Sequence, residues 1–373
     1  MRIRPLSKDA SQVNFSNSIL KHFNAETFHD SYKPLDEILE KNKGRKIVLF
    51  LFDGFGKQIQ EATKDCCPFI YSHGLLDLNT VYPPTTVAAT TAVLSGKYPV
   101  ETGWLGWTLY NPDTNEHVDT FFGKNHGLNT AANFVPSRDL PYQSIFELID
   151  KAQGSHCTDR IDGFNFNTPK GHPDIHGFMS KLQEDINDPS LKFIYAYWTD
   201  PDHSLHNYGV DSEAVRHSVK EIDKCVKRIV EANKDVLFLS IADHGHIICQ
   251  WVDIRNYPDF MDTLIDGRVG LEARFASFRV KKGREQDFIK AYSKYFSNDF
   301  ALYTKEEILK EHVFGYAEPN EITNKLIGDY YLIGTSNKAL GDLYSPYDML
   351  SHHAGSLPIE TDLKIGVYNS KAL

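Results

Sequence analysis

Two aspartate and histidine pairs are the side chains in this sequence most able to do chemistry. The segment LSIADHGH runs through apolar residues into Asp243 and His244. In DPDHSLHNYG, Asp202 and His206 are four residues apart, which puts both side chains on one face if the segment is helical. Carboxylates and imidazoles are good ligands for zinc or manganese. The two pairs therefore predict a metal site.

Further ligands for such a site occur elsewhere in the chain. Asp53 stands next to glycines that let the backbone bend closely around a ligand, and SHHAG supplies His352 and His353. Together with the two pairs, these residues are enough to hold two divalent metal ions. Each also has a plain structural explanation. An aspartate at a strand end is often a turn former or a helix cap, and a pair of histidines is often simply on the surface. Their occurrence together favours metal binding.

The segment NTVYPPTTVAATTAVLSGKYPVETGW predicts a helix that begins at Thr85 or Thr86 and ends at Gly96. Threonine is a common helix N-cap, which is the structural explanation for this pair. A hydroxyl at a helix N-terminus close to a metal could also act as a nucleophile, and the free helix amides would stabilise an arriving phosphate. The segment therefore suggests phosphoryl chemistry.

An aromatic cluster, GWLGWTLY, follows the predicted nucleophile helix and contains Trp104, Trp107 and Tyr110. These rings could stack on a nucleobase or another planar part of a substrate. The alternative is that they pack beneath a loop. We list the three residues as candidates for substrate binding.

Three apolar runs must place these groups, and each run ends in an aspartate: KIVLFLFDG (46–54), LKFIYAYWTDPD (191–202) and DVLFLSIADHGH (235–246). Continuous apolar runs of this length indicate strands covered on both faces. An amphipathic helix is predicted between Asp211 and Asn233. We therefore expect an α/β fold with a mostly parallel central sheet and helices on both faces. Ligands of such sheets bind beyond the carboxyl ends of the strands, where the aspartates would converge.

The pattern changes after His246. Residues 273–309 predict a strand, a helix, a short strand and a helix, and residues 327–340 predict a further strand. We expect a single domain over residues 1–373 that carries a small inserted α+β subdomain at residues 256–339.

The composition of the chain limits the kinds of partner that we expect. The chain of 373 residues has a formal net charge of −10, which argues against a stable nucleic-acid partner. Neither a signal peptide nor an apolar run long enough to span a membrane is evident. The five cysteines are an odd number without zinc-finger spacing, as expected for free thiols in a reducing compartment. We expect a cytoplasmic protein with a small-molecule partner, and its oligomeric state is open.

The order of the motifs resembles the alkaline phosphatase superfamily, and most closely its nucleotide pyrophosphatase/phosphodiesterase branch. The resemblance covers residues 46 to about 355 and rests on FLFDGFG, YPPTTVAATTAVLSGKYPVETG, DPDHSLHNYG, ADHGH and a late histidine before a glycine. It implies an alkaline phosphatase-like fold. It also implies that Thr86 is the catalytic nucleophile, with Thr85 as its neighbour.

The resemblance implies two divalent metal ions. The mixed carboxylate and histidine ligands favour zinc, with manganese as the alternative. One ion would be held by Asp53, Thr86, Asp243 and His244. The second would be held by Asp202, His206 and His353, with His352 as the alternative to the last.

Two departures from the branch pattern bear on substrate specificity. Val87-Ala88-Ala89 stands where Phe-Pro-Asn is common. The asparagine that commonly helps to bind phosphate falls here near Trp107.

The resemblance implies a two-metal hydrolase of phosphate esters, acting on small-molecule esters or nucleotides. Two cations about 4 Å apart would clamp the ester while Thr86 Oγ attacks in line, giving a phosphothreonine. A nucleotide pyrophosphatase/phosphodiesterase is the preferred interpretation. The alternatives are a phosphomonoesterase or a phosphonate hydrolase on the same scaffold, or an inactive sensor that binds nucleotides.

Overall fold

The computed structural model describes residues 2–163 and 174–371. The strands, in chain order, are β1 (Ile47–Phe52), β2 (Gly74–Asn79), β3 (Thr108–Asn111), β4 (Glu116–Asp119), β5 (Lys124–Asn125), β6 (Thr158–Asp162), β7 (Phe193–Trp198), β8 (Leu237–Ile241), β9 (Ile247–Ile248), β10 (Gln250–Asp253), β11 (Gly270–Glu272), β12 (Phe275–Phe278), β13 (Phe300–Thr304), β14 (Tyr330–Gly334), β15 (Lys338–Gly341), β16 (Ser351–His352) and β17 (Asp362–Tyr368).

The helices lie between these strands. In chain order they are α1 (Gln12–His22), α2 (Lys33–Lys41), α3 (Lys57–Ala62), α4 (Pro68–Ser72), α5 (Thr86–Ser95), α6 (Pro99–Thr102), α7 (Pro136–Asp139), α8 (Ile145–Gln153), α9 (Ile175–Asn187), α10 (Asp202–Tyr208), α11 (Glu213–Ala232), α12 (Pro258–Met261), α13 (Glu285–Tyr295), α14 (Lys305–Lys310), α15 (Glu321–Leu326) and α16 (Pro358–Thr361). None of the described helices combines the length and apolar composition needed to cross a membrane.

The central sheet has, within the described residues, six strands in the order β2-β17-β8-β1-β7-β6. Strand β1 pairs in parallel with β7 and β8, and β6 pairs in parallel with β7. Strand β17 is antiparallel to both of its neighbours. The predicted mostly parallel sheet is confirmed, and the three strands predicted to end in aspartates lie side by side in it.

Both faces of this sheet are covered. All residues of β1, β7 and β8 are buried, and successive side chains of a strand point to opposite faces. The apolar side of α11, which includes Val215 and Val219, packs into the same core. The helix predicted between Asp211 and Asn233 is therefore present, and burial of its apolar face holds it against the sheet.

Helix α5 carries the predicted nucleophile and is buried along its whole length. It begins at Thr86 with Thr85 as its N-cap, and it ends at Gly96, whose φ of 68° suits a residue without a side chain. Its neighbour in space is α1. The predicted limits of this helix are confirmed.

A second sheet is wider than the predicted insertion. Its order over the described residues is β13-β14-β12-β11-β3-β4-β5, so it joins strands of residues 270–334 to strands of residues 108–125. The connection is the antiparallel pairing of β11 with β3, where Leu271 lies opposite Thr108. At the base of the insertion β10 pairs in parallel with β15. A subdomain limited to residues 256–339 remains a prediction, and its sheet extends beyond those limits.

Candidate metal centre and nucleophile

The carboxyl ends of β1, β7 and β8 bring three aspartates to one edge of the central sheet. Asp53 directly follows β1, Asp243 follows β8 by two residues, and Asp202 begins α10 shortly after β7. Ligand atoms of Asp53, Asp243 and His244 all lie within 4.8 Å of one another. The same holds for a second group that consists of Asp202, His244, His246 and His353.

Thr86 lies at the first group. His244 Nε2 is 3.4 Å from Asp53 Oδ1 and 3.5 Å from Asp243 Oδ2. Thr86 Oγ1 is 3.2 Å from His244 Nε2 and 3.5 Å from Asp53 Oδ1. The structure therefore brings together the four residues that the resemblance assigns to one metal ion.

The donors of this group fit a divalent cation. Asp243 Oδ1 accepts a hydrogen bond from the Gly54 amide at 2.9 Å, whereas the buried Asp243 Oδ2 has no hydrogen-bond partner among the described residues. Burial, followed by the charges of Asp243 and Asp202, raises the pKa of Asp53 well above its usual value. A bound cation would give the unpaired Asp243 oxygen a partner and would reduce the repulsion between the carboxylates.

Three histidine rings share the same kind of backbone contact at Nδ1. The Nδ1 atom of His206 lies 2.9 Å from the Ser351 carbonyl, and those of His244 and His353 each lie 3.2 Å from a backbone carbonyl. A ring nitrogen beside a carbonyl oxygen must carry the proton and donate it, which leaves Nε2 as the lone-pair nitrogen. This backbone contact fixes the tautomer and aims Nε2 at the site, as is usual for metal-binding histidines.

The second group differs from the predicted ligand set in two ways. His206 Nε2 is 3.5 Å from Asp202 Oδ1 but lies outside the tight group, whereas His246 Nε2 is only 2.5 Å from the same oxygen. Burial lowers the pKa of His246 to about 3, although Asp202 opposes the shift. Sequence reasoning missed His246. Its place two residues after His244, on the same side of an extended segment, was the available signal.

The two late histidines have different surroundings. His353 Nε2 lies 3.9 Å from Asp202 Oδ1, and its ring stacks on His244 with centroids 3.8 Å apart. His352 uses Nδ1 to accept a hydrogen bond from the His353 amide, and its ring contacts Trp251. The geometry favours His353 over His352 as the ligand.

Gly245 lets the two histidines beside it reach the site. A Cβ atom on this residue would lie 2.0 Å from the Ile359 carbonyl oxygen. We expect Gly245→Ala to lower the free energy of unfolding by about 2–4 kcal/mol, measured by urea denaturation. Gly154→Ala is the control, because its φ of 67° is strained while no atom lies within 4 Å, so it should cost about 1 kcal/mol. Equal losses in the two variants would contradict this account.

Two cavities meet at Thr86. One, of about 380 Å³, is lined by Asp53, Asp202 and Trp107 among others. The other, of about 260 Å³, is lined by aromatic residues that include Trp104 and by polar residues that include Arg160 and Asp162. A phosphorus atom bound at Thr86 could therefore carry one substituent in each cavity.

The predicted aromatic residues separate in the structure. Trp104 and Trp107 each line one of the two cavities, and Trp104 is held by a 3.0 Å hydrogen bond from Nε1 to the Leu140 carbonyl. Tyr110 lines neither cavity. Its ring lies beside His117, and its hydroxyl donates to Asn115. Alternation along β3 explains the difference, since Tyr110 points away from the side that Trp107 occupies before the strand begins.

Phe121 and Phe122 are cavity residues that the sequence did not reveal. Both line the smaller cavity, although 37% and 49% of their surfaces are exposed. They follow β4, both rings pack against Trp107, and both line the cavity together with Thr86. No local pattern signals such a position.

The fold and the site define a member of the alkaline phosphatase superfamily. A family model described as type I phosphodiesterase / nucleotide pyrophosphatase matches residues 47–344, which is more than half of the chain. The chain therefore belongs to the type I phosphodiesterase / nucleotide pyrophosphatase family.

Two curated relatives match over shorter lengths. The chain is 30% identical over 87 residues to GPI ethanolamine phosphate transferase 3 of Schizosaccharomyces pombe, covering 22% of this chain and 9% of that protein. It is 22% identical over 252 residues to bis(5'-adenosyl)-triphosphatase ENPP4 of Bos taurus, covering 59% of this chain and 52% of that protein. The chain thus spans at most about half the length of these relatives.

Solved structures of ectonucleotide pyrophosphatase/phosphodiesterase 5 share the fold. The murine protein superposes with a TM-score of 0.65 at 15% identity, and the match covers 87% of this chain and 88% of that one. An inactive form of the murine protein in complex with AMP gives a TM-score of 0.63, and the human protein gives 0.64, both at 15% identity and the same coverage.

Proposed function

We propose that this protein is a metal-dependent hydrolase of phosphodiester or pyrophosphate bonds that uses Thr86 as its nucleophile. The observation that carries the proposal is the position of Thr86 Oγ1, at the N-terminus of α5 and within 3.5 Å of both His244 and Asp53. The hydroxyl is buried but lines both cavities, so a substrate can reach it.

Two sets of side chains would hold the metal ions. Asp53, Thr86, Asp243 and His244 form the first, and Asp202, His206 and His353 form the second, with His246 fixing Asp202. Divalent cations bound there, zinc in preference and manganese as the alternative, would lower the pKa of the Thr86 hydroxyl and neutralise charge on the phosphoryl oxygens.

Thr86 and the first turn of α5 would carry out the two steps of the reaction. Thr86 Oγ forms a bond to phosphorus as the bond to the leaving oxygen breaks, and the Thr86 proton is lost to solvent. Water later cleaves the phosphothreonine and restores the hydroxyl. The free amides in the first turn of α5 stabilise negative charge on the phosphoryl oxygens throughout.

The smaller cavity supports a nucleotide as one half of the substrate. Trp104, Phe121 and Phe122 offer planar faces next to Thr86, and a nucleobase binds well to such surfaces. A structurally similar protein has been solved with AMP, and the name of one relative describes cleavage of a dinucleoside triphosphate. A cytoplasmic location and the lack of a stable nucleic-acid partner remain predictions from the sequence.

The test compares an aryl phosphomonoester with its methyl phosphodiester, using protein reconstituted with zinc or with manganese. We expect a kcat/KM for the diester that exceeds that for the monoester by at least about tenfold. Stripping the metal with a chelator should abolish turnover, and returning the metal should restore it.

Each other outcome points to a different interpretation. A preference for the monoester would make the protein a phosphatase on the same site. No turnover of either ester by metal-loaded protein would leave phosphonate hydrolysis or nucleotide sensing as the function.

A further inference from the structure

Glu272 is a buried carboxyl group at the site that the proposed mechanism does not use. It ends β11 in the second sheet, and only 6% of its surface is exposed. Its Oε1 accepts hydrogen bonds from Thr85 Oγ1 at 2.5 Å and from the Trp107 amide at 2.8 Å. Glu272 therefore contacts the residue directly before the nucleophile.

The same carboxyl group faces the larger cavity together with Thr86, Asp53 and Asp202. Both hydrogen bonds use Oε1, which leaves Oε2 as the oxygen that can be presented to a bound molecule. Burial raises the pKa of Glu272 to about 7, opposed by the bonds from Thr85 and Trp107, and the charges of His244 and Asp202 also act on it. The Glu272 carboxyl group is thus close enough to His244 and Asp202 for their charges to affect its pKa.

Glu272 places a hydrogen-bond acceptor in the wall of the cavity that Thr86 also lines. The Trp107 amide beside it already donates to Glu272. A carboxylate cannot donate to a phosphoryl oxygen and repels a negative one. A phosphate that entered this cavity would therefore meet an anionic side chain at Glu272.

We propose that Glu272 is a specificity-determining residue that makes the site select phosphodiesters over phosphomonoesters. The inference rests on the proposed function. A diester carries one negative charge, whereas a monoester carries nearly two above neutral pH because its second pKa is about 6. The additional charge of the monoester is repelled by the buried Glu272 carboxylate, and repulsion of this kind costs about 10- to 100-fold in binding.

The test uses two variants that separate charge from shape. Glu272→Gln keeps the size of the side chain and an oxygen that can accept from Thr85 and Trp107, but it removes the charge. Glu272→Asp keeps the charge on a shorter side chain. For both variants and the unaltered protein, kcat/KM is measured with a 4-nitrophenyl phosphomonoester and its methyl diester at about pH 8.5. This pH lies above the pKa of about 7 to which burial raises Glu272, so its carboxyl group is ionised.

We expect Glu272→Gln to lower the ratio of diester to monoester kcat/KM by at least about tenfold, mainly through faster monoester turnover. Glu272→Asp should stay within about threefold of the original ratio. A merely structural role would slow both substrates alike and leave the ratio unchanged in both variants, which overturns the inference. An equal fall of the ratio in both variants also overturns it, because shape rather than charge would then be responsible. No turnover by the unaltered protein would instead refute the proposed function.

Discussion

Replacing Thr86 with alanine is expected to lower kcat for the diester by at least about a thousandfold, because the Tyr197 hydroxyl, which also contacts Asp53, makes no hydrogen bond to His244 and so does not replace it. The change removes only Oγ1 and a methyl group at a helix N-terminus, so the fold should remain. Steady-state kinetics with the aryl diester measure the effect. Metal content, measured by mass spectrometry, should stay at the level of the unaltered protein or fall by no more than one ion.

Two controls define what the loss means. Thr86→Ser keeps a hydroxyl and should retain part of the activity, whereas Ser95→Ala removes a hydroxyl at the other end of α5 and should leave kcat unchanged. If Thr86→Ala still binds AMP, measured by calorimetry, while turnover is lost, the protein is an enzyme rather than a sensor. Undiminished hydrolysis in this variant would rule out Thr86 as the nucleophile.

Glu360→Gln is expected to lower the free energy of unfolding by about 3–5 kcal/mol, since it leaves the Arg274 guanidinium buried without a counter-charge. Both side chains are fully buried, and they form two parallel hydrogen bonds of 2.7 and 2.8 Å. Glu360 also accepts from the Gly355 amide, and its carbonyl accepts from the Gly245 amide. Urea denaturation measures the loss, which should be accompanied by weaker metal binding because Gly245 and Gly355 lie within two residues of the proposed ligands His244 and His353.

An exposed ion pair provides the comparison. Lys43 and Glu40 lie 3.6 Å apart with most of both side chains in solvent, so Glu40→Gln should change stability little. Removing both buried charges together, in Arg274→Met with Glu360→Met, should cost less than the sum of the two single changes. A loss for Glu360→Gln no larger than that for Glu40→Gln would contradict the role given to the buried pair.

Much of the site could be predicted because its signals are local. Continuous apolar runs fix the strands before Asp53, Asp202 and Asp243, and parallel strands bring their carboxyl ends to one edge. The limits of α5 follow from a threonine cap and a glycine end. The relation of Asp202 to His206 needs only the spacing of a short helix.

What could not be predicted depends on contacts between distant parts of the chain. The pairing of Leu271 with Thr108 joins segments more than 150 positions apart, and no periodicity records it. Glu272 belongs to β11, and this pairing brings it beside Thr85. Tyr110 illustrates the opposite error. It is close to Trp107 in sequence, but its position in β3 places its ring beside His117 and away from the cavities.

The second sheet also limits how the protein could be shortened or recombined. Its strands β3 to β5 follow α5 and α6 in the chain, and β11 completes the hydrogen bonding of β3 from far along the chain. Excising residues 256–339 would leave β3 as a bare edge prone to association with other chains, and would remove Glu272 and Arg274 at the same time. Residues 256–339 therefore cannot be removed or exchanged independently of the rest of the chain, and a shortened version of this protein must retain them.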